Sequence, residues 1–254
     1  MDTTPTFIQS METSTNFRIN LLNTNKKWII LKKLYENINN KKEKKIPKIL
    51  HQIWLGGPIP NGYLPLIEKW KNNHPDWEFR LWGDEDIKEF DLDKDEIYNK
   101  ISNLGSKSDV LRYHIVNKYG GVYTDTDFVS LKSFNPLINY NFFSGGFSIL
   151  DHQNGDPEIY NGLFGSVPNH PILHQCIKNV YSSLNQSSIL ESTGPRFFTD
   201  MIFKIINGEE KDVVFLPLSY FYPFPGRLRH GPKNINKWVK PETLCVHLWN
   251  TSWQ

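Results

Sequence analysis

Two rhythms of apolar residues run along this chain. Residues 45–55 (KIPKILHQIWL), 78–82 (EFRLW), 122–131 (VYTDTDFVSL), 212–218 (DVVFLPL) and 243–249 (TLCVHLW) alternate or cluster at strand spacing. Gly56-Gly57-Pro58 breaks the first of these runs and Gly83-Asp84 turns out of the second. Between the runs the spacing changes to that of a helix. Trp28, Leu31, Leu34, Tyr35 and Ile38 predict an amphipathic helix near 26–38, and Leu66, Ile67 and Trp70 share a face over 63–73. Residues 94–103 and 195–206 read as helical. Over 106–121, Leu111, Ile115 and Tyr119 repeat at four, Ser106 or Ser108 can cap, and Gly120-Gly121 stops the helix. Over 171–184, Pro171 opens a helix whose period is kept by Ile172, Leu173, Cys176, Ile177, Val180 and Leu184. Strands that alternate with helices predict an α/β sandwich around a mostly parallel sheet.

The pattern divides the chain unevenly. Residues 1–45 are polar, with one predicted helix and a lysine-rich linker ending in Lys41-Lys42-Glu43-Lys44-Lys45. Residues 46–254 carry the remaining elements and read as a single domain, a size that buries a core without disulfide or metal staples. The formal charge of +2 gives no bulk attraction to nucleic acid or anionic membrane. No run approaches the ~18 apolar residues that span a bilayer, and the first residues lack a basic and then apolar leader. A cytoplasmic protein without a transmembrane segment is therefore expected. Cys176 and Cys245 form no zinc or redox spacing, although one bridge between them is open. Alanine is absent and lysine far outnumbers arginine, so lysine and asparagine runs carry little functional weight. The 35 aromatic residues, 8 Trp, 11 Tyr and 16 Phe, suit a substrate cleft as well as a core.

The sharpest chemical signal is Asp125-Thr126-Asp127. Aspartates are poor strand formers, and these two follow Gly-Gly-Val-Tyr at the carboxyl end of a predicted strand. In open α/β sheets that edge is where ligands bind. Two acids so close repel unless a cation lies between them, and hard divalent ions such as Mg²⁺ or Mn²⁺ favour carboxylate oxygens together with substrate phosphates. The other reading is a solvated turn. Asp109 and Arg112 share a helix face at i,i+3, offering acceptors and a planar fork for sugar hydroxyls or phosphate, or else forming a surface ion pair. Trp54, at a strand end, either stacks on a flat ring or fills the core. His247 either completes a metal's coordination, which leans the ion toward Mn²⁺, or is a satisfied core residue.

The motifs IPKILHQIWLG (46–56), HPDWEFRLW (74–82), SDVLRYHIVNKYGGVYTDTD (108–127), NGLFGSVPNHPIL (161–173), STGPRFF (192–198), FYP (221–223) and HLWNTSW (247–253) occur in that order. Together they resemble glycosyltransferase family 32, the DXD-containing sugar-binding-region transferases that include a yeast initiating α-1,6-mannosyltransferase and bacterial capsule enzymes. More distantly the chain is similar to the clostridial glucosylating toxins. The resemblance leaves out residues 1–45. It implies a GT-A fold, with a Rossmann-like, mostly parallel sheet flanked by helices. It also implies hexosyl transfer from a nucleoside diphosphate sugar to a glycan, lipid-linked or protein acceptor, with retention and Mn²⁺ or Mg²⁺ as cofactor. Asp125 and Asp127 would bind the ion, the ribose and the diphosphate, and Asp109 and Arg112 would reach the donor sugar, so that these four carry catalysis. By the same analogy Trp54 lies near the base, and Tyr113, Asn161, Thr193 and Gly194 lie near donor or acceptor. His247 and Trp253 lie near the diphosphate. A non-catalytic nucleotide-sugar-binding module, a degenerate transferase or another metal-dependent phosphate enzyme would be the alternatives.

Overall fold

The computed structural model describes residues 4–11, 19–37, 43, 45–150 and 155–250, without the side chains of 148–150. Among these residues the strands are β1 (Ile49–Ile53), β2 (Glu78–Trp82), β3 (Gly121–Thr124), β4 (Phe128–Ser130), β5 (Phe142–Leu150), β6 (Asp156–Ser166), β7 (Val213–Leu216) and β8 (Cys245–His247). The α-helices are α1 (Phe7–Met11), α2 (Leu21–Thr24), α3 (Lys26–Glu36), α4 (Leu64–Asn73), α5 (Glu96–Lys100), α6 (Leu104–Tyr119), α7 (Pro171–Asn179), α8 (Ile189–Ser192), α9 (Pro195–Phe203) and α10 (Leu218–Phe221). Six strands form one sheet in the order β2-β1-β3-β6-β5-β7, and β4 pairs with β8 in a second, two-stranded sheet. β1 runs parallel to β2 and β3, and β5 runs parallel to β7. Only β6 opposes its neighbours in this sheet. The α/β architecture around a mostly parallel sheet is thus the one the alternation predicts.

Three local outcomes differ from the pattern. The predicted strand over 122–131 is two strands, because the chain turns at Asp125–Asp127 and leaves the large sheet for the small one. No element is predicted over 142–166, yet the two longest strands, β5 and β6, lie there. β6 is buried on both faces, so it shows no alternation, and Gly145-Gly146 interrupt β5 where the register slips. The helices also end early or start elsewhere. Asn103, not Ser106 or Ser108, caps α6 by accepting from the Ser106 amide, and α7 stops at Asn179.

The end of α6 aims the chain at its functional region. Gly120 (φ +64°) and Gly121 (φ +92°) adopt left-handed backbone, and a Cβ on Gly121 would lie 2.5 Å from the Ile49 carbonyl oxygen. Glycine therefore lets β3 start flush against β1. His51 Nε2 sits 2.9 Å from the Gly120 carbonyl, while His51 Nδ1 accepts from Trp82 Nε1. Burial lowers the His51 pKa to about 4, so the ring is neutral and fixed as a strut.

The described part of the N-terminal extension is built into the core. Phe7 and Met11 of α1 and Trp28, Leu31, Leu34 and Tyr35 of α3 are buried in the same apolar cluster as the sheet. Trp28 Nε1 donates to the Gly155 carbonyl at 2.7 Å, and the Phe7 ring stacks on Phe147. Each such apolar side chain contributes about 1.5–3 kcal/mol by leaving water. Ile38 and most of the lysine-rich linker lie outside the described residues. Cys176 and Cys245 are both free and buried, and no described helix is long and apolar enough to cross a membrane.

Candidate active site

The site assembles where the two sheets meet. Asp125 directly follows β3, and its amide donates to the Gly162 carbonyl of β6 at 2.8 Å. Asp127 directly precedes β4, whose register with β8 sets Phe128 opposite His247. This pairing carries a residue near the chain's end to the acids: His247 Nε2 lies 3.0 Å from Asp127 Oδ1. One ligand atom from each of Asp125, Asp127 and His247 falls within 4.8 Å of the others. The His247 ring is clamped between Phe128, centroids 4.5 Å apart, and Trp249, at 4.3 Å. Asp127 Oδ2 accepts from the Asn250 amide at 2.7 Å, and Tyr123 donates to Asp125 Oδ1 at 2.6 Å.

These residues fit a divalent ion. Two carboxylates and one imidazole suit Mn²⁺ or Mg²⁺, with Mn²⁺ favoured by the nitrogen ligand. Burial raises the Asp125 pKa, Arg112 opposes that rise, and the nearby Asp127 charge adds to it. Positive charge between the acids would relieve this repulsion. His247 Nδ1 and the Tyr222 hydroxyl are buried without a hydrogen-bond partner beside the acids. Orphaned polar atoms in one place are what a missing polar ligand leaves behind.

A second network backs the first. Arg112 on α6 reaches Asp109 Oδ1 at 3.0 Å and Asp125 Oδ1 at 3.3 Å, and donates to the Asn161 carbonyl at 2.9 Å. Its guanidinium also lies over the Tyr123 ring, 4.5 Å from the centroid. Asp109 further accepts from Asn161 Nδ2 and from the Thr193 hydroxyl, both at 2.8 Å. Desolvation pushes the Asp109 pKa up to about 6 against the pull of Arg112. The reading of Asp109 and Arg112 as a surface pair is excluded, since both are buried.

One cavity of ≈ 300 Å³ joins the two networks. Trp54, Asp109, Arg112, Asp125, Asp127, Asn161, Gly194 and His247 all line it. Tyr113 and Thr193, expected near a ligand, do not. Tyr113 is fully buried, stacks on Phe198 and donates to the Thr193 carbonyl at 2.9 Å, so the pair sits behind Asp109 and Asn161 as support. Trp253 lies outside the described residues. Tyr160, Gly162, Tyr222 and Trp249 also line the cavity and were not singled out in the sequence. Each except Tyr160 falls inside a quoted motif, which was the available signal.

Gly162 has a steric reason to be glycine. A Cβ there would lie 2.6 Å from Asp125 Oδ2 and 3.3 Å from the Tyr222 hydroxyl. Gly162→Ala is expected to displace the Asp125 carboxylate and cut Mn²⁺ affinity by at least roughly tenfold, about 1.4 kcal/mol. Calorimetric Mn²⁺ titration checks this, and unchanged affinity would refute the steric argument.

Known proteins are similar to this chain in sequence and fold. Residues 60–143 match the family described as glycosyltransferase sugar-binding region containing DXD motif. An uncharacterised glycosyltransferase of Acanthamoeba polyphaga mimivirus is 29% identical over 187 residues, covering 70% of this chain and 73% of that one. Inositol phosphoceramide mannosyltransferase 1 of Schizosaccharomyces pombe is 31% identical over 209 residues, covering 74% of this chain and 63% of its own. Human alpha-1,4-N-acetylglucosaminyltransferase is 31% identical over 170 residues, with 60% and 46% covered. The chain thus spans less than two thirds of the length of the latter two. Among solved structures, the PaToxG glycosyltransferase superposes with a TM-score of 0.55 at 19% identity, covering 80% of each chain, a likeness of fold. The chain thus has a fold of the GT-A type. Within it, residues 60–143, which hold Asp109, Arg112, Asp125 and Asp127, are similar to the sugar-binding region of DXD-containing glycosyltransferases.

Proposed function

We propose that this protein transfers a hexosyl group from a nucleoside diphosphate sugar to an acceptor hydroxyl on a glycan, lipid or protein, with a divalent ion held by Asp125, Asp127 and His247. The observation that carries this reading is the meeting of those three residues with the Asp109–Arg112 network on one cavity. The ion would supply Lewis-acid stabilisation of the departing diphosphate, worth several kcal/mol. The remaining work falls to the chain's own side chains. Arg112, held by Asp109, Asp125, the Asn161 carbonyl, the Ser108 carbonyl and hydroxyl and the Tyr123 ring, is a fixed positive charge on the cavity wall. Asp109 has about four lone-pair sites, of which Arg112, Asn161 and Thr193 use three, leaving one for a sugar hydroxyl. Those three donors also make it a poor nucleophile. Among the described residues the cavity's carboxylates are Asp109, Asp125 and Asp127, and with all three engaged, front-face attack with retention is the course we favour. Among the described residues every cavity-lining side chain comes from Ile53 onward, consistent with residues 46–254 as the catalytic domain and the N-terminal helices as its support.

Relatives named for transfer of mannose to inositol phosphoceramide and for transfer of N-acetylglucosamine support a hexose or N-acetylhexosamine donor. The test is a thermal-shift screen of UDP-galactose, UDP-glucose, UDP-N-acetylglucosamine and GDP-mannose, each with and without Mn²⁺. A donor at a hundred times its Kd adds about 2.7 kcal/mol, a rise of roughly 5–10 °C in a domain of this size. The rise is expected for one or two donors and only with the ion present. Absence of a shift for all four in Mn²⁺ would remove the proposal.

A further inference from the structure

The Tyr222 hydroxyl is the polar atom at this site that the reading above leaves without work. The residue is 3% exposed, lines the cavity and has no hydrogen-bond partner for its oxygen. Its ring is fixed on every side. Tyr160 packs at 4.8 Å, Phe128 at 5.2 Å, His247 at 5.5 Å and Trp249 at 5.8 Å between centroids. Its backbone amide closes α10 by donating to the Leu218 carbonyl at 2.8 Å. A side chain so confined cannot swing to find another partner. A buried hydroxyl left unsatisfied costs more than the same site filled by an apolar ring, so its presence needs a reason outside the apo fold.

The surroundings say what would satisfy it. The hydroxyl and Asp125 Oδ2 both lie around the vacant Cβ position of Gly162, yet no hydrogen bond joins them. A tyrosine phenol carries its proton at neutral pH, so it can donate. A neutral phenol is a poor ligand for a hard cation beside two carboxylates. A donor next to an ion-holding set instead suits an anionic oxygen carried in on the ion. The sugar-facing groups Asp109 and Asn161 belong to the other network.

We propose that the Tyr222 hydroxyl is a preorganised hydrogen-bond donor to the diphosphate of the bound sugar nucleotide. This rests on the transferase reading and assigns a residue to the leaving group. The hydroxyl is in place before the donor arrives, so little reorganisation accompanies binding or bond cleavage.

The test is Tyr222→Phe, with UDP and GDP titrated by calorimetry in the presence of Mn²⁺, and Mn²⁺ titrated alone. A hydrogen bond to a charged oxygen is worth roughly a tenfold to hundredfold change in affinity. The nucleotide that wild type binds is expected to bind the variant weaker by that factor. Mn²⁺ alone is expected to bind both equally, and the variant is expected to melt no lower than wild type, because the lost hydroxyl had no partner. Nucleotide affinity within twofold of wild type overturns the proposal. So does an equal loss of Mn²⁺ affinity, which would make the hydroxyl an ion ligand. A variant melting well below wild type also overturns it, by making the hydroxyl structural. If wild type itself binds neither nucleotide, the transferase reading fails and the role of Tyr222 fails with it.

Discussion

Asp127→Asn will abolish Mn²⁺-dependent donor binding and reduce transfer by about a thousandfold, the several kcal/mol that a metal ion supplies to a departing diphosphate. The substitution keeps the shape of the side chain. Its amide oxygen can still accept from the Asn250 amide, and its nitrogen can donate to His247 Nε2, the two contacts Asp127 makes. It also removes the negative charge that raises the pKa of Asp125. The variant without metal is therefore expected to melt at or above the wild-type temperature while losing the rise that Mn²⁺ and donor together produce. Calorimetry for the ion and product formation for the transfer check the two halves. Wild-type turnover in the variant would detach the reaction from these acids.

Arg112→Ala will both inactivate and destabilise the protein. A surface ion pair on one helix face, one of the two sequence readings of Asp109 and Arg112, would be lost at little cost to the fold. The structure differs from that reading, because Arg112 is 5% exposed and its removal strands Asp109, Asp125 and the Asn161 carbonyl together. Removing one partner of a buried ion pair costs about 3–5 kcal/mol, since an uncompensated charge is left in low dielectric. For a domain of this size that is a drop of roughly 6–20 °C in melting temperature. Arg112→Lys is expected to recover part of the stability but not the transfer, because one ammonium cannot span both carboxylates and a carbonyl in a plane. Denaturant unfolding measures the first effect, and a loss below about 1 kcal/mol for the alanine variant would show the network to be weaker than its geometry.

What could be read in advance followed from local periodicity. β1, β2 and β7 and the helices of the domain write their burial into nearby residues, and Gly120-Gly121 punctuates α6 in the chain itself. The acids were legible because aspartate is chemically out of place in a strand. β5 and β6 were not, because double-sided burial erases alternation and glycines break the apolar runs. The same limit hid the cavity's aromatic wall. Tyr160, Tyr222 and Trp249 meet only after β6, α10 and β8 have docked, a long-range event without a local signature. Tyr113 and Thr193 show the converse. Their type and motif suggested contact with a ligand, and only the packing reveals that they support the groups on the cavity wall.

The partnership of β4 with β8 has a consequence for how the protein comes to life during synthesis. The six-stranded sheet has all its members once Leu216 has been made, but the imidazole that meets the acids arrives 31 residues later, with His247. At ordinary translation speeds of about 5–20 residues per second, a few seconds separate a nascent chain with its main scaffold from one that holds all three residues of the proposed ion site. A chain truncated within that interval would lack the His247 imidazole of the proposed ion site, so Mn²⁺ binding there is expected to await β8.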